Sequence, residues 1–266
     1  AYARSFRMPV DSVTKPQRQI GKVMELALGY EGGVGAFVKM AKTYDLDLAE
    51  VTKTAYANLP VEVREEAHSA WDWAVDQKRT QGLDQQTYVV CDALKRLWRN
   101  AHPGIAGGWR GLTDAAVQAI TNPGQVFPVA DKKVMFKVED QWLYMRLPSG
   151  RKLAYYKPQY DESSGKISYM GVDTFTRRWA RTDIYGGRSD ENAVQAISRD
   201  LLVAAKFKLE RAGYPIIGSV HDEAILEPPE GFGSYDDAAA IMCDSPKWAA
   251  GLPVAVEGHR AKRYRK

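Results

Sequence analysis

An α+β fold is predicted for this 266-residue chain, and three features of the sequence predict it. Apolar residues recur with helical spacing up to about residue 124. Strand-like runs, alternating or rich in β-branched and aromatic residues, follow from residue 134. A single long helical segment, Ser189 to Ala212, then lies between these runs and a short apolar hairpin.

Thr14 ahead of Lys15-Pro16 is a helix N-terminal signal. Ile20, Val23, Leu26 and Ala27 keep helical spacing from Pro16 to Tyr30, and Gly29, Gly32 and Gly33 end the pattern. Further helices are expected over Val34 to Thr43, Pro60 to Arg79, Gln85 to Asn100 and Ile105 to Thr121, with a break at Asn122-Pro123-Gly124. Strands are expected at Val134 to Val138, Trp142 to Leu147, Lys152 to Tyr156 and Ile167 to Val172. Gly186-Gly187 opens the long helix and Gly213-Tyr214-Pro215 stops it. Ile216 to Val220 and Ala224 to Leu226 read as two short strands, followed by a helix at Tyr235 to Cys243 and a last strand at Val254 to Glu257. The expected division is a helical subdomain over 1–127, with its leading helix at 16–30, and a sheet-bearing subdomain over 128–266, with the long helix at 188–212 and the hairpin at 216–227.

Composition narrows the class. Hydrophobic residues make up 45% and charged residues 26% of the chain, as in globular domains. Two cysteines, Cys91 and Cys243, cannot build a disulfide framework, so a reducing compartment is expected. No apolar run reaches the ~20 residues of a membrane span, no secretory signal opens the chain, and no membrane partner is expected. The first residue is Ala rather than Met, which suggests a processed, split or trimmed piece. Net charge is only +4, but cations gather at Lys15, Arg18 and Lys22, at Arg146, Arg151 and Lys152, at Arg177, Arg178 and Arg181, and over Arg260 to Lys266. These clusters either face phosphates together or are separately solvated.

Three constellations could carry chemistry. In Val220-His221-Asp222-Glu223-Ala224, apolar runs flank three polar residues. A hairpin there would hold a carboxylate at a rigid exposed edge, a setting suited to Mg²⁺, which takes one or two carboxylates plus phosphate oxygens. Strand alternation turns Asp222 and Glu223 in different directions. In Arg18-x-x-x-Lys22-x-x-x-Leu26-x-x-x-Tyr30, steps of four keep one helix face over roughly 18 Å. Two cations near a helix N-terminus suit an anion, and Leu26 and Tyr30 could meet a sugar or base. Arg188, Asn192 and Gln195 share a face of the long helix and suit base edges or sugar oxygens. Each also has a plain structural reading, as a polar loop or a solvated helix face. No phosphate-cradling Gly-x-x-x-x-Gly-Lys occurs, and Cys91, Cys243, His68, His102 and His259 lack zinc spacing. His68 and His102 are expected at the surface or at helix ends, and Trp71, Trp73, Trp109 and Trp142 in packing.

Taken in order, these segments resemble the DNA polymerase I-like (family A) DNA polymerases of phage type. The stretch Arg18 to Tyr30 is similar to motif B, on the fingers helix that binds the incoming nucleotide. Val220-His221-Asp222-Glu223 is similar to motif C of the palm. Tyr185 to Asp200 is similar to the palm helix that touches the primer–template minor groove. The resemblance implies helical fingers followed by a palm with an antiparallel sheet and a long helix. It further implies that Arg18 and Lys22 bind the triphosphate, that Lys22 serves as acid toward pyrophosphate, and that Leu26 and Tyr30 meet the sugar and templating base. Asp222 would ligate catalytic Mg²⁺ with support from Glu223, His221 would approach the primer end, and Arg188, Asn192 and Gln195 would contact the nascent duplex. The Asn192-to-Gln195 spacing is one residue shorter than in bacterial relatives.

The resemblance departs at one place. The family carries a second aspartate in motif A, upstream of motif B, and nothing before Arg18 fits; Asp11-Ser12 reads as turn or capping material. Two ions ~3.5–4 Å apart clamp the attacking and leaving oxygens in such enzymes. Asp222 and Glu223 alone would not hold both. The expectation is therefore a DNA-directed DNA polymerase, acting on dNTPs and primer–template DNA in the bacterial host cytoplasm, that needs a separate polypeptide to supply motif A and the thumb. A non-catalytic DNA-binding fragment is the alternative. Single-subunit RNA polymerases, with His-Asp-Ser at motif C, rank behind both.

Overall fold

The computed structural model describes residues 1–173 and 176–264. The chain divides into two units. The first comprises Ala1–Val117, Gln159–Ser168 and Arg181–Glu191; the second comprises Gln118–Pro158, Tyr169–Ala180 and Asn192–Lys266.

The helices of the first unit are α1 (Tyr2–Phe6), α2 (Lys15–Leu28), α3 (Val34–Thr43), α4 (Leu48–Ala55), α5 (Val61–Asp76), α6 (Gln85–Ala101) and most of α7 (Pro103–Thr121). Thr14 starts α2 through a reciprocal capping box: its backbone N–H donates to Gln17 Oε1 at 2.9 Å, and Gln17 N–H donates back to Thr14 Oγ1 at 3.5 Å. Ile20, Val23, Met24, Ala27 and Leu28 of α2 join Phe37, Leu94 and Trp98 in the core. Each fully buried large side chain contributes about 1.5–3 kcal/mol. Helix α6 is the most enclosed, and its buried Asp92 is neutralised by Lys95 and by Arg96 Nε at 2.6 Å.

The strands are β1 (Val126–Val129), β2 (Val134–Glu139), β3 (Trp142–Arg146), β4 (Lys152–Asp161), β5 (Lys166–Val172) and β6 (Trp179–Ile184), joined in sequence order into one antiparallel sheet. Phe136, Val138, Leu143, Met145 and Tyr155 lie on its buried face. After α8 (Gly186–Arg211), the hairpin of β7 (Ile216–Val220) and β8 (Glu223–Leu226) forms a separate two-stranded sheet, and α9 (Tyr235–Cys243) follows.

The α+β class is as expected, and so are α3 and α9 to the residue. The short α1 and α4 were not expected; α1, at five residues, is too short to display a helical period, whereas α4 carries one in Leu48, Val51 and Ala55 and is capped by Asp47 Oδ1, which accepts from Ala49 N–H at 2.8 Å. Strands β1 and β6 also escaped notice. They are the two edges of the sheet, where Pro128 and the polar Arg181-Thr182-Asp183 are tolerated. Two expectations are corrected. Helix α2 ends at Leu28 rather than Tyr30, because Gly29 and Tyr30 form a turn. No strand forms at Val254 to Glu257; the stretch alternates in burial but has no strand to pair with, and Tyr235 Oη donates to the Val256 carbonyl at 3.2 Å instead. Among the described residues, no helix is long and apolar enough to cross a membrane.

Within the first unit, the start of α8 packs without a gap. A Cβ at Gly186 would stand 2.0 Å from the Trp109 carbonyl oxygen, and one at Gly187 2.3 Å from the Tyr30 carbonyl oxygen. We expect Gly187→Ala to lower stability in urea unfolding by about 1–3 kcal/mol. Gly107→Ala, inside α7 with open space around it, should raise stability by about 0.5–1 kcal/mol.

Candidate functional site

On α2 the expected nucleotide-binding row is solvent-facing. Arg18 and Lys22 are exposed, and Leu26, a large apolar side chain, is 43% exposed. Burial of Ile20, Val23, Met24 and Ala27 fixes which side of the helix points outward. The Lys22 ammonium lies 4.4 Å from the centroid of the Tyr44 ring, a cation–π contact that steadies a long side chain. Gln19 Nε2 ties the same helix to the Tyr44 carbonyl at 3.2 Å. Tyr30 stands apart from the row, half-buried in the turn after α2. Burial first, then the Asp190 and Glu191 carboxylates, hold its phenol above the usual range, so it is a neutral donor at physiological pH.

That turn is built into the opening of α8. Glu31, in the left-handed region at φ 66°, accepts a hydrogen bond on Oε2 from Gly187 N–H at 2.9 Å. A carboxylate thereby satisfies one of the orphan donors of the long helix. Arg99 Nη2 donates to the Glu31 and Gly32 carbonyls, each at 3.2 Å. Trp109 Nε1 donates to Asp190 Oδ2 at 3.2 Å, and burial raises the Asp190 carboxyl above its ordinary value. Arg188, on the same first turns, donates from Nη1 to the Asp183 carbonyl at 3.4 Å.

In the second unit, the β7–β8 hairpin turns through His221 and Asp222, both exposed. His221 adopts φ 51°, an uncommon value for a non-glycine residue and one that recurs at functional turns. A bulge at Ile217 switches the side-chain parity of β7. Ile216, Ala224 and Leu226 therefore share the face that packs on Leu209 of α8 and on Ala238, Ile241 and Met242 of α9. Glu223 is turned to the other face, opposite Val220, as strand alternation predicts. Its Oε2 accepts a hydrogen bond from Tyr264 Oη at 2.9 Å, and that bond raises the Tyr264 phenol. The donor set at the turn, exposed Asp222 beside a half-buried Glu223, is hard oxygen and fits a Mg²⁺ ion. Among the described residues, no group of three or more His, Cys, Asp or Glu side chains comes together.

Along α8, Asn192 Nδ2 donates to Tyr155 Oη at 3.0 Å, so its amide is anchored to β4, and Gln195 is exposed one turn further on. Arg151 leaves the expected basic cluster to pair with Asp200 at 2.6 Å, whereas Arg146 and Lys152 remain cross-strand neighbours. Arg265 and Lys266 of the basic tail lie outside the described residues.

Several residues were placed differently by the sequence. His102 lies at a helix end, as the C-cap of α6, but is buried there, stacked on Trp98 at 4.3 Å, with Nδ1 2.7 Å from the Trp98 carbonyl. Trp142 was expected in packing and is 37% exposed; Trp73 is 53% exposed. Burial pushes the Cys91 thiol to about 12, which leaves it inert. Glu31, Tyr44 and Tyr264 went unnoticed, because their partners are distant in sequence and no spacing rule joins them.

Comparison with known proteins adds one relative. A protein named DNA polymerase, from Bacillus phage SP02, is 35% identical over 270 aligned residues that take in 99% of this chain. The chain spans about a third (35%) of the length of that relative. No protein-family model matches the sequence, and no solved structure matches it.

The contact at Glu223 is open to direct measurement. With Glu223→Gln, the Tyr264 phenol should titrate at lower pH than in the unaltered chain. NMR of ¹³C-labelled tyrosine rings reads this shift.

Proposed function

We propose that this chain is the fingers and palm portion of a family A DNA polymerase, and that it takes part in template-directed addition of dNTPs to a primer 3′-hydroxyl. The observation that carries the proposal is 35% identity to a phage DNA polymerase along 99% of the chain. The aligned span takes in both the exposed Arg18, Lys22 and Leu26 row and the turn that presents Asp222.

Arg18 and Lys22 would bind the triphosphate, with the N-terminal end of α2 adding its dipole. Lys22 would give a proton to the leaving pyrophosphate oxygen. Leu26 would offer an apolar contact to the sugar, and Tyr30 a neutral phenol near the templating base. Asp222 would hold Mg²⁺, Glu223 would support that site once its bond to Tyr264 is exchanged, and His221 would approach the primer terminus. Bound Mg²⁺ supplies charge neutralisation on the phosphates and activation of the attacking hydroxyl. Arg188, Asn192 and Gln195 would track the minor groove of the new duplex. The second metal-holding aspartate would come from a strand outside residues 1–266, a reading in keeping with a relative that extends well beyond the matched stretch. The setting would be the cytoplasm of an infected bacterium.

A second reading is favoured by Tyr264, which occupies one oxygen of Glu223: a primer–template-binding piece without chemistry. Primer extension separates the two. The chain alone should extend primers at background level, and the chain assembled with a polypeptide bearing the second aspartate strand should extend them readily. In that assembly, Asp222→Ala should lower the rate by about 100-fold or more. Arg18→Ala should raise the dNTP KM about tenfold or more. Binding without extension in every combination would favour the second reading.

A further inference from the structure

The six-stranded sheet carries an aromatic row on its outer face that the proposed reaction does not use. Strand pairing sets Trp142 directly opposite Tyr156. Their ring centroids are 4.7 Å apart, and Trp179 of β6 continues the row 6.3 Å from Tyr156. Trp142 is 37% and Trp179 58% exposed, although both are large apolar rings. Tyr156 is held in place by its hydroxyl, which donates to Gln141 Oε1 at 3.0 Å.

Lysines are seated against these rings. Lys157 Nζ lies 5.4 Å from the Tyr156 centroid, and Lys152 Nζ lies 4.9 Å from that of Tyr144, one residue pair along β3 and β4. Arg146, paired across the strands with Lys152, adds a third exposed cation. The carboxylate beside them, Glu139, is already met by Lys137 at 2.5 Å and by Lys152 at 3.8 Å. The face therefore combines exposed aromatic rings with an excess of positive charge.

We propose that this sheet face binds single-stranded DNA, with about two or three consecutive bases stacked on Trp142, Tyr156 and Trp179 and the phosphates held by Lys152, Lys157 and Arg146. Charge decides against a protein partner, because interface cores are depleted in lysine, whereas here lysines flank the rings. Exposed rings on a flat sheet favour unpaired bases, since those of a duplex have their faces covered by their neighbours. The choice of DNA rests on the polymerase reading; the stacking site itself does not.

Fluorescence anisotropy of labelled (dT)12 with the 266-residue chain, without nucleotide or Mg²⁺, tests the proposal. Replacing Trp142 and Trp179 together by Ala should weaken binding about tenfold or more. Replacing both by Phe should keep it within about threefold, since a ring face remains. Trp73→Ala, an exposed tryptophan on α5, should change nothing. Lys152→Ala should shallow the slope of log affinity against log salt by about 0.7. The proposal is overturned if the unaltered chain does not bind (dT)12 at low salt, if the double Ala variant binds as well as the unaltered chain, or if oligo(U) or duplex DNA binds more tightly. Binding of (dT)12 through Trp142, in a chain that never extends a primer even when assembled with the polypeptide bearing the second aspartate strand, would sustain this inference and sink the polymerase reading. The converse result would do the opposite.

Discussion

Two carbonyl oxygens leave no space for a side chain where the long helix begins. Gly186 sits under Trp109 and Gly187 under Tyr30, at separations that any Cβ would violate. Close approach lets Glu31 reach the helix terminus and accept from Gly187 N–H. Arg99 grips the same turn by its carbonyls, and its guanidinium lies 5.7 Å from the Trp109 ring. The turn is thus held by a carboxylate cap, a guanidinium and an absence of side chains. With the capping box at Thr14, both ends of α2 are fixed, and the Arg18, Lys22 and Leu26 row is displayed on a rigid rod. The phosphate site proposed for that row would need such rigidity, because orientation lost before a reaction has to be recovered during it.

The second unit meets the same requirement by different means. A lone two-stranded hairpin is marginally stable in water. Here the bulge at Ile217 allows Ile216 to join Ala224 and Leu226 against α8 and α9. The hairpin then has an apolar base and a polar tip, and His221 takes the left-handed conformation that the tight turn requires. Asp222 remains in water at that tip, unburied, as the proposed cation role would require.

Local features were legible in the sequence, and features closed over distance were not. Thr14-Lys15-Pro16 announced α2, and of the apolar period Ile20, Val23, Leu26 and Ala27 all but the exposed Leu26 mark its buried side, because a cap and a period are written in neighbouring residues. His221-Asp222-Glu223 between two apolar runs announced the hairpin for the same reason. Glu31 on Gly187, Tyr264 on Glu223 and Trp179 near Tyr156 each join residues far apart in the chain. The alternation over Val254 to Glu257 misled, since a period of two marks an extended chain whether or not a partner strand is present. Trp142 misled in another way: an aromatic residue in a strand is assigned to the core by default, and only cross-strand register shows that it points outward.

The central claim of the proposed function is that the Asp222 carboxylate, at the exposed tip of the β7–β8 hairpin, holds a divalent cation. Paramagnetic broadening by Mn²⁺ reports this directly, with the amides of the assembled enzyme resolved by NMR in the presence of primer–template and a dNTP. The account predicts loss of signal at His221, Asp222 and Glu223, and recovery in Asp222→Asn. Broadening that spares residues 221–223, or that persists unchanged in Asp222→Asn, would contradict it.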